Sequence, residues 1–286
     1  MRTLFLLLLN LLLLIRSAAA DKPRGIFVLQ AVDEANVEES ILQKANGLSI
    51  RFKWMSVDKG STWDWSFVDS QVERCRKLGK PYMLRMLAGK NSPTRIDGEW
   101  FAEAPLPWNE TAQSALSHAI DTMGERYASD PLLACVHLTS TANNRSAEMH
   151  IADRITLRPD YSHAKMITAW QKSIDSYSSA FPHTALSLNV ALKPTGKGEI
   201  TYPVIDYCKS KLGDRATFQH NALKARISPR WRVHLLILDL GQQGLPIGFQ
   251  MACPSSNKER FGGSLEEAYR RAGEKSSYFE VYQGDL

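Results

Sequence analysis

The sequence predicts a single (β/α)₈ barrel, a TIM barrel that ends on its eighth strand. Three observations lead there. Eight short apolar stretches recur at near-even spacing, amphipathic segments separate them, and the first strand lacks the glycine-rich turn of a doubly wound sheet. The stretches are GIFVLQAV (25–32), GLSIRFKW (47–54), PYMLRMLAG (81–89), LACVHLTS (133–140), TALSLNVAL (184–192), ATFQHNAL (216–223), PIGFQMAC (246–253) and YFEVYQ (278–283). A doubly wound open sheet is the rival. Its phosphate-binding turn would fall at Ala31-Val32-Asp33-Glu34, which has no glycine.

The elements follow in order. Before the first strand, Met1-Arg2-Thr3, the run LFLLLLNLLLLI and Ala18-Ala19-Ala20 make a basic start, an apolar core and a small-residue cleavage site. Residues 1–20 are expected to be a secretory signal peptide, with residues 21–286 as the barrel. The apolar run is short for a membrane span. The protein is therefore expected to be exported, secreted or periplasmic, and to have no membrane attachment after cleavage. Between strands 2 and 3, SFVDSQVERCRKLG opens on Ser66 and stops at Gly79. A helix follows Asn109-Glu110, and another fills 160–180 after Pro159. Ser228-Pro229 reads as a helix start, and Ser264-Leu265-Glu266-Glu267 as a capping box before the last strand.

Composition narrows the function classes. The 286 residues are 44% hydrophobic and 23% charged, as in an ordinary globular chain. Loss of residues 1–20 removes Arg2 and Arg16, leaving 33 basic against 30 acidic residues and a net charge of about +3. No dense basic run with interleaved aromatics occurs, so nucleic acid is not an expected partner. Cys75, Cys135, Cys208 and Cys253 are far apart and none falls in a CxxC pair; an exported chain could pair them in ways the sequence does not specify, and buried free thiols are the leading reading. His137, His150, His163 and His220 lack ligand spacing, so no metal or other cofactor is expected. Asn109 and Asn144 head N-x-S/T sequons.

Strand alternation then sorts the side chains. The apolar sets belong against the helices. That leaves Arg51, Arg85, His137, Asn189, Gln219, Asn221, Gln250 and Glu280 facing the lumen. Branched apolar residues commonly fill this space. A carboxylate at Glu280 then needs Arg51 or Arg85 as its counter-ion. Two readings stand side by side: a structural network alone, or a network whose upper layer is a sugar-binding floor.

The stretch Gly60-Ser61-Thr62-Trp63-Asp64-Trp65-Ser66-Phe67-Val68-Asp69, followed by Gly79-Lys80 and a strand into Ala88-Gly89, resembles the segment between strands 2 and 3 of clan A glycoside hydrolases. The β-galactosidase-like members are most similar, and residues 47–93 carry the resemblance best. It implies an oligosaccharide or polysaccharide substrate, an acid/base glutamate after strand 4 and a nucleophilic glutamate ending strand 7, roughly 5 Å apart for retention. Glu148 is the carboxylate of the loop after strand 4 and the expected acid/base, although Ala147 stands where the family has asparagine. Strand 7 departs further. Gln250 is an amide and cannot attack as a carboxylate. Three outcomes follow: Glu280 replaces the nucleophile, an inverting mechanism uses another acid such as Asp285, or a non-catalytic barrel binds glycan without cutting it. The expected substrate-binding residues are Arg51, Trp54, Arg85, His137, Asn189, Asn221, Gln250 and Tyr282, with loop tryptophans Trp63, Trp65, Trp100 and Trp108 as further stacking surfaces.

Overall fold

The computed structural model describes residues 22–143, 149–228 and 230–286. The expected leader, Asn144 and Glu148 lie outside them. Eight parallel strands close into a barrel: β1 (Gly25–Leu29), β2 (Gly47–Lys53), β3 (Tyr82–Leu87), β4 (Leu133–His137), β5 (Ala185–Asn189), β6 (Ala216–Leu223), β7 (Ile247–Met251) and β8 (Ser276–Val281). Each pairs with its neighbours in sequence, and β8 closes the ring against β1.

One principal helix separates each successive pair: α1 (Glu39–Lys44), α2 (Ser66–Leu78), α3 (Glu110–Tyr127), α4 (His163–Ala180), α5 (Thr201–Leu212), α6 (Arg232–Gln242) and α7 (Leu265–Ala272). The local chemistry accounts for their ends. The Asn109 side chain accepts from the Ala112 N–H at the start of α3, and Ser162 does the same for Lys165 in α4. Ser264 and Glu267 form the expected capping box on α7. Gly79 ends α2 at φ 60°, in the left-handed region. Two expected starts move. Ser66 is the first residue of α2, and it is Asp64 that accepts from its N–H and hydroxyl. Helix α6 begins at Arg232, after Trp231, not at Ser228.

The main core lies between sheet and helices. In α3 the buried residues Ala112, Leu116, Ala119, Ile120, Met123 and Tyr127 recur at helical spacing and form one apolar stripe. A smaller cluster, Phe27, Met83, Cys135, Ala185 and Tyr278, fills the lower lumen. Gly248 is required there, because a Cβ at that position would lie 2.1 Å from the Tyr278 ring. All four cysteines are buried free thiols.

Candidate active site

The site begins with Glu280. Alternation places Tyr278 and Glu280 on the lumen side of β8, and register sets Glu280 beside Phe27 of β1 and Gln250 of β7. Glu280 is completely buried. A carboxylate there requires hydrogen-bond donors, and three strands that do not adjoin β8 supply them across the lumen. Ser49 Oγ donates from β2, Arg85 Nη2 from β3, and Gln219 Nε2 from β6 at 2.6 Å. His137 Nε2 of β4 lies 3.5 Å away.

The network extends outward from that carboxylate. Arg85 Nη1 donates to the Gln250 amide oxygen, so the strand 7 amide serves as an acceptor for a guanidinium. His137 Nδ1 is 3.2 Å from Asn189 Oδ1, and Arg85 Nη2 lies 3.3 Å from His137 Nε2. The pattern fits a neutral ring that donates from Nδ1 and accepts at Nε2. Gln219 Nε2 also donates to Asn221 Oδ1 at 2.6 Å, carrying the network to the open end of β6.

Electrostatics agree with this geometry. Burial alone would raise the Glu280 carboxyl. Arg85 and the Ser49 and Gln219 donors outweigh it and hold the group at about 2. Burial, then the Arg85 charge, depresses His137 to about 3, so the ring is neutral at pH 7. Burial and the same Arg85 charge lower Arg51 to about 10. Arg51 Nε donates to the Gln30 carbonyl at 2.6 Å. Arg85 is thus the counter-ion of Glu280. Among the described residues Arg51 forms no ion pair. Two guanidiniums face one carboxylate, leaving a surplus positive charge in the lumen.

Beyond Asn221 the C-terminal ends of β5 and β6 border a cavity of about 500 Å³. Val190, Leu192 and Val233 give it apolar walls; His150, His220, Asn221, Trp231, Lys193, Arg230 and Arg232 give it polar and aromatic ones. The backbone N–H of Met149 donates to the Asn189 carbonyl at 2.9 Å, which ties the returning β4–β5 connection to the end of β5.

Several expected site residues lie elsewhere. Trp54 starts a one-turn helix (Trp54–Val57) and is fully buried in the main core, so the expectation that it faces a ligand is corrected. Trp63 and Trp65 stack at 5.9 Å, and Trp65 packs edge-on against Phe52 and Tyr127. The Trp-Asp-Trp motif therefore builds the α2 entrance. Trp100 and Trp108 pack partly buried against the core, and Trp108 Nε1 donates to Asp160. Tyr282 is half-buried just after β8. Asp285 accepts from the Ser255 N–H. Sequence reasoning missed Ser49, whose signal was its place two residues before Arg51 on the same face. It also passed over Trp231, Arg230 and Arg232, which no periodicity marks.

No family model matches the chain, and no curated protein is similar to it. Among solved structures it is similar to a psychrophilic glycoside hydrolase family 10 endo-β-1,4-xylanase, at 13% identity and TM-score 0.60 over 91% of this chain and 86% of that one. It is similar to the catalytic domain of a β-amylase from Paenibacillus polymyxa, at 8% identity and TM-score 0.57 over 94% of each chain. A third is an intracellular xylanase from Thermoanaerobacterium saccharolyticum in complex with xylotetraose, at 13% identity and TM-score 0.53 over 91% and 85%. The likeness is one of fold. A closed (β/α)₈ barrel therefore carries the Glu280 network and the β5–β6 cavity.

Proposed function

We propose that the protein is an exported glycoside hydrolase of clan A type acting on an oligosaccharide or polysaccharide. Glu148 is its proton donor and Glu280 its second carboxylate. The carrying observation is the chain of polar contacts from the ionised Glu280 through Gln219 to Asn221 at the cavity wall. Such a floor of amides and guanidiniums suits a hydroxyl-rich ligand, and His150, two residues beyond Glu148, lines the same cavity. Barrels of this kind act at the C-terminal face. The similar xylanase with xylotetraose supports a saccharide as ligand, and the resemblance around residues 60–69 makes β-galactosides the first substrates to test.

A specific observation favours a second reading, a saccharide-binding barrel without catalysis. Glu280 has no exposed surface, both its oxygens already accept hydrogen bonds, and Gln250 occupies the end of β7. A glycan panel separates the two. In the hydrolase, Glu148→Gln lowers turnover of a substrate with a poor leaving group by about 10²–10⁴-fold and affects an activated aryl glycoside much less. Equal rates in both proteins exclude Glu148 as the acid. Binding without hydrolysis across the panel establishes the second reading. Export is checked by the mass of protein secreted from its host, which is expected to begin at or near Asp21.

A further inference from the structure

The cavity over β5 and β6 has a one-sided charge pattern. Lys193, Arg230 and Arg232 line it, and none of its 13 described lining residues is acidic. Lys193 is held by Asp153 at 3.1 Å. The two arginines have no carboxylate partner among the described residues: Arg232 donates only to the backbone carbonyls of Gly196 and Lys197, at 2.8 and 3.1 Å. Both arginines are exposed, so their charges face solvent at the cavity rim, where an anion can reach them.

Two further observations point the same way. The N-terminus of α6 opens at this cavity through Trp231, Arg232 and Val233, and its N-cap residue Trp231 supplies no side-chain hydrogen bond. The positive end of the helix dipole is thus left for something else to satisfy. Beside it His220, only 3% exposed, lines the cavity with a ring whose Nδ1 has no hydrogen-bond partner among the described residues. Its ring meets Trp231 edge-on at 4.7 Å, which fixes its plane. Burial, then the neighbouring His234, lowers His220 to about 3. The ring is therefore a neutral hydrogen-bonding group, and the cavity's charge comes from its arginines and its lysine.

We infer that this cavity is a subsite for an acidic sugar residue, its carboxylate or sulfate group held by Arg230, Arg232 and the first turn of α6. The inference rests on the saccharide reading above and gives it a substrate class: an anionic glycan in preference to a neutral one. The hydroxyls of the same residue meet Asn221, which links the subsite to Gln219 and Glu280.

Matched saccharide pairs test it by calorimetry: galacturonate oligomers against their methyl esters, and sulfated galactan oligomers against their desulfated forms. One member of the acidic set is expected to bind at least about tenfold tighter than its neutral partner, since charge-assisted hydrogen bonds are the strong ones. The two pairs distinguish carboxylate from sulfate. The advantage should shrink when salt is raised from about 50 to about 500 mM. Arg230→Gln, which removes no side-chain contact seen among the described residues, should abolish most of that advantage. Arg232→Gln should act likewise, with a melting curve to control for its contacts with Gly196 and Lys197. Equal affinity for acidic and neutral partners, or an advantage that survives in Arg230→Gln, overturns the subsite while leaving the saccharide reading intact. Failure of every saccharide to bind overturns both.

Discussion

The lower and upper halves of the lumen are equally buried and chemically opposite. Below lie Phe27, Met83, Cys135, Ala185 and Tyr278, an apolar filling of the usual kind. Above lie Ser49, Arg85, His137, Asn189, Gln219 and Glu280, all within a few per cent of complete burial. The lower layer gains stability from the hydrophobic effect. The upper one removes ions and amides from water, and regains that loss only while its partners stay complete. A well-packed apolar layer would hold the barrel together at least as well. Equal burial does not mean equal purpose: stability accounts for the lower layer, whereas the upper one makes sense as a charged floor beneath the open end.

The largest expected effect attacks the upper layer. Glu280→Ala leaves Arg85 buried without its counter-ion and should destabilise by about 3–5 kcal/mol in chemical denaturation. Parent-like stability would remove the contrast between the layers. The paired change Glu280→Leu with Arg85→Met should cost less than Glu280→Ala alone, because no charge is left stranded.

Acid comes next, and its sign is fixed by depressed proton affinities. Glu280 falls from 4.5 to about 2 in the fold, and His137 and His220 from 6.5 to about 3. In each case the unfolded chain binds the proton first. Stability is therefore full above pH 6.5, declines as the histidines protonate in the unfolded state, and declines further below pH 4.5 as Glu280 does. The Glu280 contribution is on the order of 3 kcal/mol, lost toward pH 2. Melting temperatures that stay flat between about pH 7 and about pH 3 would contradict this linkage.

Smaller effects sharpen the lower layer. Gly248→Ala drives a methyl into the Tyr278 ring and should cost about 1–3 kcal/mol by overpacking. Tyr278→Phe removes the 2.9 Å hydroxyl contact with Ser187 and should cost about 1 kcal/mol. Thermal unfolding ranks the two, and the reverse order would place Tyr278 in a polar rather than an apolar setting.

The barrel was legible because alternation and spacing are properties of the strands themselves. The period of two put Arg85, His137, Asn189, Gln219, Gln250 and Glu280 on the lumen side, where they lie buried. The choice between Arg51 and Arg85 was not legible. The two are register partners on adjacent strands, and only the curvature of the closed barrel brings one of them to Glu280. Trp54, at the end of the second apolar stretch, read as a substrate-binding residue, but its one-turn helix folds it into the core. The cavity draws on strand ends, a loop and the start of α6. Tertiary closure alone brings these together, so no local pattern foretold it.

The four sealed thiols have a consequence of their own. They are spread over α2, the lumen, α5 and the segment after β7, and burial pushes Cys75, Cys135 and Cys208 up to about 12. A thiol so placed reacts with an alkylating reagent only when its surroundings open. The native chain thus carries its own set of opening clocks. Reading the four labelling rates separately would tell whether the ring parts at one seam or comes apart as a unit, with no cysteine introduced into the molecule.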